Sequence, residues 1–142
     1  MFNPSRDEVR RFFSGVWQRY REAQPLHGIE ALALDVILKH PEYHAVLDQS
    51  ERHMTRDWFP EAGETNPFLH MSMHLALAEQ LSIDQPAGIR AQYQRLSAAH
   101  DELHDAEHAV IECLAEMLWQ AQRNGVAPDA SVYLACLENR QS

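Results

Sequence analysis

Apolar residues return every three or four positions through nearly the whole chain, and prolines with Asn or Asp beside them cut that rhythm into short segments. A 3.6-residue period with such frequent stops specifies short helices packed together. No stretch shows the alternation of a strand, and no internal repeat or low-complexity tract interrupts the pattern. The expected fold is all-α, a bundle of five to six helices with a long loop at about 50–66.

The segments can be placed individually. Ser5 with Glu8 three residues later reads as a capping box, opening a helix over about 6–22 whose apolar face is Val9, Phe12, Phe13, Val16, Trp17 and Tyr20. A second helix follows Pro25, carries Ile29, Leu32, Ala33, Val36 and Ile37 inward, and ends near Lys39. His40 precedes Pro41 and so resists the α region, which predicts a bend and a short segment over Pro41 to Leu47. Asn66-Pro67 combines an N-cap with proline at the first helical position, starting a third helix that runs to about Ile83. Asp84 and Pro86 open a fourth, over about 86–98. Asp101 caps a fifth that reaches Asn124 and stops at Gly125, and Pro128 precedes a short last helix.

Composition narrows the class of protein. With 142 residues, 45% hydrophobic and 23% charged, the chain is expected to form a single helical domain over 1–142. A formal charge of −9 argues against nucleic acid or an anionic membrane as partner, since phosphate binding needs a basic stripe. Arg6, Arg10 and Arg11 cluster, but Asp7 and Glu8 interrupt them, and they read as a solvated helix face. No apolar run approaches the roughly eighteen residues of a membrane span, and the start lacks the pattern of a signal peptide, so a cytoplasmic location is expected. Cys113 and Cys136 sit in apolar helical patterns without CxxC spacing and read as buried free thiols. Trp17 and Trp119 read as core residues, and Trp58 as a cover over a cavity mouth.

Histidine carries the sharpest chemistry. His70 and His74 are four apart on the third helix, and His100, His104 and His108 continue the same spacing into the fifth. Imidazoles one helical turn apart lie on one face and can grip one metal. At about 100° per residue, His70 and His74 fall beside Leu69, Met73, Leu77 and Leu81. On the fifth helix His104 borders the apolar arc, Glu107 lies near its middle, and His108 and Glu112 sit further round. A carboxylate in an apolar arc needs a partner. The bend at Pro41 would bring His40 and His44 onto the face of Ile37. The candidate ligand set is therefore His70, His74, His104, His108, Glu107 and Glu112, with His44 as an addition. Imidazole with carboxylate suits iron or zinc, in a mononuclear or dinuclear site.

The strings Phe2-Asn-Pro-Ser-Arg6, His40-Pro-Glu-Tyr-His44, Asn66-Pro-Phe-Leu-His70, Glu79-Gln-Leu-Ser-Ile-Asp84 and His104-x2-Glu107-His108-x3-Glu112 resemble a proteobacterial family named domain of unknown function 1841. That resemblance covers nearly the whole chain and implies a small cytoplasmic bacterial protein. The HxxxH and HxxxE spacings at His70/His74 and His108/Glu112 are also similar to hemerythrin-like helical-bundle metalloproteins, a likeness of architecture.

Two functions fit the pattern. The first is a transition-metal site whose open coordination positions allow oxygen or redox chemistry with iron, or water activation with zinc. The second is a helical adaptor whose histidines form a structural polar core and whose loop or bundle face binds another protein. Whether the chain is an enzyme is left open by its sequence, and the short helices leave apolar surface for a homodimer.

Overall fold

The computed structural model describes residues 6–53, 56–58, 63, 66–99 and 103–140. Among these, six longer helices stand where the periodicity places them: α1 Arg6–Arg21, α2 Ile29–Leu38, α5 Pro67–Ile83, α6 Ile89–Ala99, α7 Leu103–Asn124 and α8 Ala130–Asn139. The segment after Pro41 is a 3-10 turn, Pro41–Tyr43, running into the short α3, His44–Asp48. One further turn of helix, α4 Ser50–His53, begins within the stretch expected as loop. No strand occurs among the described residues.

Local chemistry accounts for most of the ends. At α5 the Asn66 side chain accepts hydrogen bonds from the backbone N–H groups of Phe68 (3.0 Å) and Leu69 (3.2 Å), so the expected cap is in place. Asp129 caps α8 by accepting from Ser131 N–H at 2.9 Å. Gly125, at φ 65°, ends α7 in the left-handed conformation that glycine adopts without a Cβ penalty. Asp84 (φ 51°) follows α5 and accepts from Arg90 N–H at 3.0 Å. The Arg90 guanidinium donates back to the carbonyls of Leu81 and Ser82, both at 2.7 Å, supplying partners to the last turn of α5. The proposed caps Ser5 and Asp101 lie outside the described residues, as does Pro60 of the expected loop.

The chain falls into two compact units, Met1–Leu75 and Ala76–Ser142, within the span that the sequence reads as one domain. The first buries Phe13, Val16 and Trp17 of α1, Ala33, Val36 and Ile37 of α2, Leu47 of α3, and Phe68, Met71 and Leu75 of α5. The second packs α6, α7 and α8 pairwise and buries Ile89, Leu96, Val110, Leu114, Tyr133 and Leu137. Each α5 contribution follows an i, i+3, i+4 spacing, which is why Phe68, Met71 and Leu75 share one face.

Three expectations are corrected. Cys113 and Cys136 are not free thiols: they form a disulfide, with Cα atoms 5.6 Å apart across a separation of 23 residues. Antiparallel packing of α7 on α8 sets two distant positions side by side, a proximity that local CxxC spacing does not encode. Arg10 is not part of a solvated face but is only 2% exposed, because it shares the inward stripe of α1 with Phe13 and Trp17. Trp119 is 53% exposed rather than core, and Arg123, one turn on, lies over its ring at 5.2 Å.

Two outcomes follow for the second unit. Closing a 23-residue loop constrains the unfolded chain by about 3 kcal/mol. Reduction should therefore lower its thermal midpoint by roughly 10 °C or more, which melts followed by circular dichroism with and without phosphine reductant will register. The second outcome concerns alkali. The Tyr133 hydroxyl donates to Gln80 at 2.8 Å, and burial holds both Tyr133 and Tyr93 above the ordinary phenol value. Unfolded phenols ionise near pH 10 while the folded ones keep their protons, so stability is full below about pH 10 and falls above it. Urea midpoints should be level from pH 8 to 9.5 and drop at pH 11.

Candidate metal centre

Pro41 does more than end a helix. A residue before proline is driven out of the α region, and His40 adopts φ −126°, ψ 63°. The chain turns sharply there, with Tyr43 N–H donating to the His40 carbonyl at 3.0 Å, and the His40 ring is buried at 2% exposure. Its Nδ1 sits 2.7 Å from the Val36 carbonyl. A carbonyl only accepts, so Nδ1 carries the proton and the neutral ring presents Nε2 as its basic nitrogen. A backbone carbonyl that fixes the tautomer in this way is the usual outer-shell support of a metal-binding histidine.

His70 and His74 reach the same place from α5. Their Nε2 atoms are 3.1 Å apart, His74 is buried and His70 half-buried. The ring of His40 lies 5.2 Å from that of His70 and 4.5 Å from that of His74, centroid to centroid. One nitrogen from each of the three rings falls within 4.8 Å of the others. At metal–nitrogen distances of about 2.0–2.1 Å, nitrogens 3.1 Å apart subtend roughly 100° at a shared ion, between octahedral and tetrahedral values. Three such imidazoles are chemically competent to hold one borderline transition metal and leave other positions open.

The surroundings are aromatic and apolar. Tyr43 stacks on His40 with centroids 5.6 Å apart and meets His70 edge-on at 6.0 Å. Burial raises the Tyr43 phenol above its ordinary value, and the charge of Glu42 adds to the shift. Phe68 and Met71, both buried, precede and follow His70 on α5.

The sequence candidates distribute unevenly around this cluster. His70 and His74 come together as their spacing implies. His44 faces elsewhere: its Nε2 donates to the Ile37 carbonyl at 2.8 Å, and its ring lies 4.3 Å from Trp17, whose indole N–H donates to Asp48 at 2.7 Å. The ring at the Pro41 bend that meets the α5 pair is His40, which was absent from the candidate ligand set. The signal for it was present in the dipeptide His40-Pro41, since the residue before a proline leaves the α region and ends α2 at that ring.

The remaining candidates belong to α7 in the second unit. Glu107 is half-buried, and its partner is the Tyr93 hydroxyl of α6. Glu112 is exposed and pairs with Arg140 at 2.7 Å. His108 is half-buried, while the side chain of His104 lies outside the described residues. In the first unit, Glu30 pairs with Arg19. His27 is exposed, as its position at a helix start suggests.

A groove of about 630 Å³ also opens in the first unit, between α1 and α3–α4, lined by Ser14, Trp17, Arg21, Asp48 and Arg52 among others. None of the three clustered histidines lines it. Two of its charges face each other, Arg21 lying 3.7 Å from Asp48.

Neither a curated protein nor a solved structure matches the chain. The likeness to hemerythrin-type bundles thus rests on residue spacing alone. A family model, by contrast, matches residues 5–139, and the chain belongs to that family, DUF1841, a domain of unknown function.

Proposed function

We propose that this protein binds one divalent transition metal, zinc or iron, through His40, His70 and His74. The observation that carries the reading is the convergence of three ring nitrogens within 4.8 Å in a largely buried place. Burying three imidazoles in apolar surroundings is costly unless each nitrogen is satisfied, and a shared cation satisfies all three. Supporting the reading, the bond from His40 Nδ1 to the Val36 carbonyl leaves Nε2 as the basic nitrogen that a metal would require. The short Nε2–Nε2 contact between His70 and His74 requires a proton between two basic nitrogens, and a metal ion takes the place of that proton.

Three neutral imidazoles leave the ion open positions. Zinc there would lower the pKa of a bound water toward neutrality and favour hydrolytic chemistry. Iron there would favour dioxygen or peroxide chemistry. A second reading has an observation of its own: the hydrogen bonds of His40 to Val36 and of His70 to His74 also suit a polar core without metal, within a helical adaptor.

Metal content decides between them. Untagged protein purified without chelator, and reconstituted with zinc or ferrous iron, should carry about one ion per chain, a stoichiometry set by one three-nitrogen site. His40→Ala and His74→Ala should each reduce that content to near zero while circular dichroism stays helical, and His44→Ala should retain it. At a hundredfold excess over Kd the ion should stabilise the protein by about 2.7 kcal/mol. A wild-type chain that takes up neither ion overturns the proposal in favour of the polar core.

A further inference from the structure

We infer that Arg10 is a positioning residue for the histidine centre, acting through Phe68 on the first turn of α5 and hence on His70. The inference rests on the metal-binding reading above. A buried guanidinium calls for an account, because arginine is almost never fully buried without a purpose-built seat. Arg10, at 2% exposure, has its guanidinium carbon 5.0 Å from the Trp58 ring centroid and 5.3 Å from that of Phe68. The two aromatic rings are themselves 6.0 Å apart, meeting edge to face.

That seat is braced from both sides. One turn earlier on α1, Arg6 donates to the Asp57 carboxylate at 2.5 Å and to the Arg56 carbonyl at 2.6 Å, holding residues 56–58 against the helix. The Arg56 guanidinium also lies over Trp58, at 4.9 Å. Two arginines, Arg10 and Arg56, thus lie over the Trp58 ring, Arg6 holds the two residues before it, and the ring meets Phe68 edge to face.

Phe68 is the second residue of α5, and His70 is the fourth. The opening turn of a helix has N–H groups without intrahelical partners and is the first part to fray. Here Asn66 supplies backbone partners: its side chain to Phe68 and Leu69, and its carbonyl to His70 N–H at 3.0 Å. Leu69, at 61% exposure, gives the turn no anchorage. The side chain that seats it is Phe68, buried at 2%, with Arg10 as its charged neighbour. His74, one turn further on, is held within the helix proper. Loss of the Arg10 contact should consequently release His70 and leave His74 and His40 in place.

The test uses the full chain with zinc and with cobalt(II) as a spectroscopic stand-in. In Arg10→Met, which keeps the stem and removes the cation, zinc affinity in a competition titration should fall at least tenfold. The cobalt d–d bands should lose intensity as one nitrogen is replaced by water. Arg10→Lys, which restores charge without the planar fork, should recover part of the affinity. In the metal-free protein, amide exchange at Leu69 and His70 should quicken at least tenfold in Arg10→Met, with residues 74–77 unchanged. Wild-type affinity, wild-type exchange at His70, or a uniform rise in exchange through the whole unit would each overturn the inference. Should the wild-type chain bind neither zinc nor cobalt, the metal reading fails by itself, and the exchange at His70 alone decides whether Arg10 positions that residue.

Discussion

A single hydrogen bond, from His40 Nδ1 to the carbonyl of Val36, organises the chemistry of the first unit. It depends on Pro41. A helix continuing through residue 40 would spend the Val36 carbonyl on the backbone N–H of residue 40, following the i to i−4 rule. Because the residue before proline leaves the α region, the His40 backbone N–H bonds to Ile37 instead, and the imidazole takes the Val36 carbonyl. The same backbone event ends α2, buries the ring and chooses its tautomer. Moving the proline by one position would separate these three effects.

The core around His40 is then under a second constraint. Met71 and Leu75 line the apolar face of α5, and His70 and His74 border them, so imidazole enters a region otherwise filled by hydrocarbon. Buried polar groups left unsatisfied cost on the order of 1–3 kcal/mol each. Pairing His70 with His74 at 3.1 Å satisfies one nitrogen on each ring and forces the pair to share a proton. On the proposed reading, a metal ion would take the place of that shared proton.

Helix positions were legible from the sequence because they depend on local terms: the apolar period, Asn66-Pro67, Gly125, and the proline at 41. The His70/His74 pair was legible for the same reason, being a matter of one helical turn. What escaped depends on the meeting of separate elements. Arg10 carries the same charge as Arg6 and Arg11, and its burial follows from Trp58 and Phe68, residues 48 and 58 positions later. The Cys113–Cys136 disulfide requires α7 and α8 to pack in one register, which spacing between the cysteines does not report. Glu107 was correctly read as needing a partner, but the partner is a tyrosine on α6, so its half-burial has an account within the second unit.

The distribution of carboxylates bears on the kind of ion that such a centre would hold. In the described first unit Glu30 is engaged with Arg19, and the clustered donors are the imidazoles of His40, His70 and His74. Three neutral imidazoles neutralise none of a divalent charge. Hard ions such as magnesium or calcium, which draw affinity from anionic oxygens, gain little there, whereas zinc, copper, nickel and ferrous iron bind imidazole well. The uncompensated charge would fall on whatever occupies the open positions, lowering the pKa of a water or drawing in an anion. A nitrogen-only donor set in an aromatic enclosure would therefore favour a Lewis-acidic centre over an oxygen-bridged dinuclear one, whose bridges need carboxylates, and no carboxylate is among the clustered donors of the described first unit.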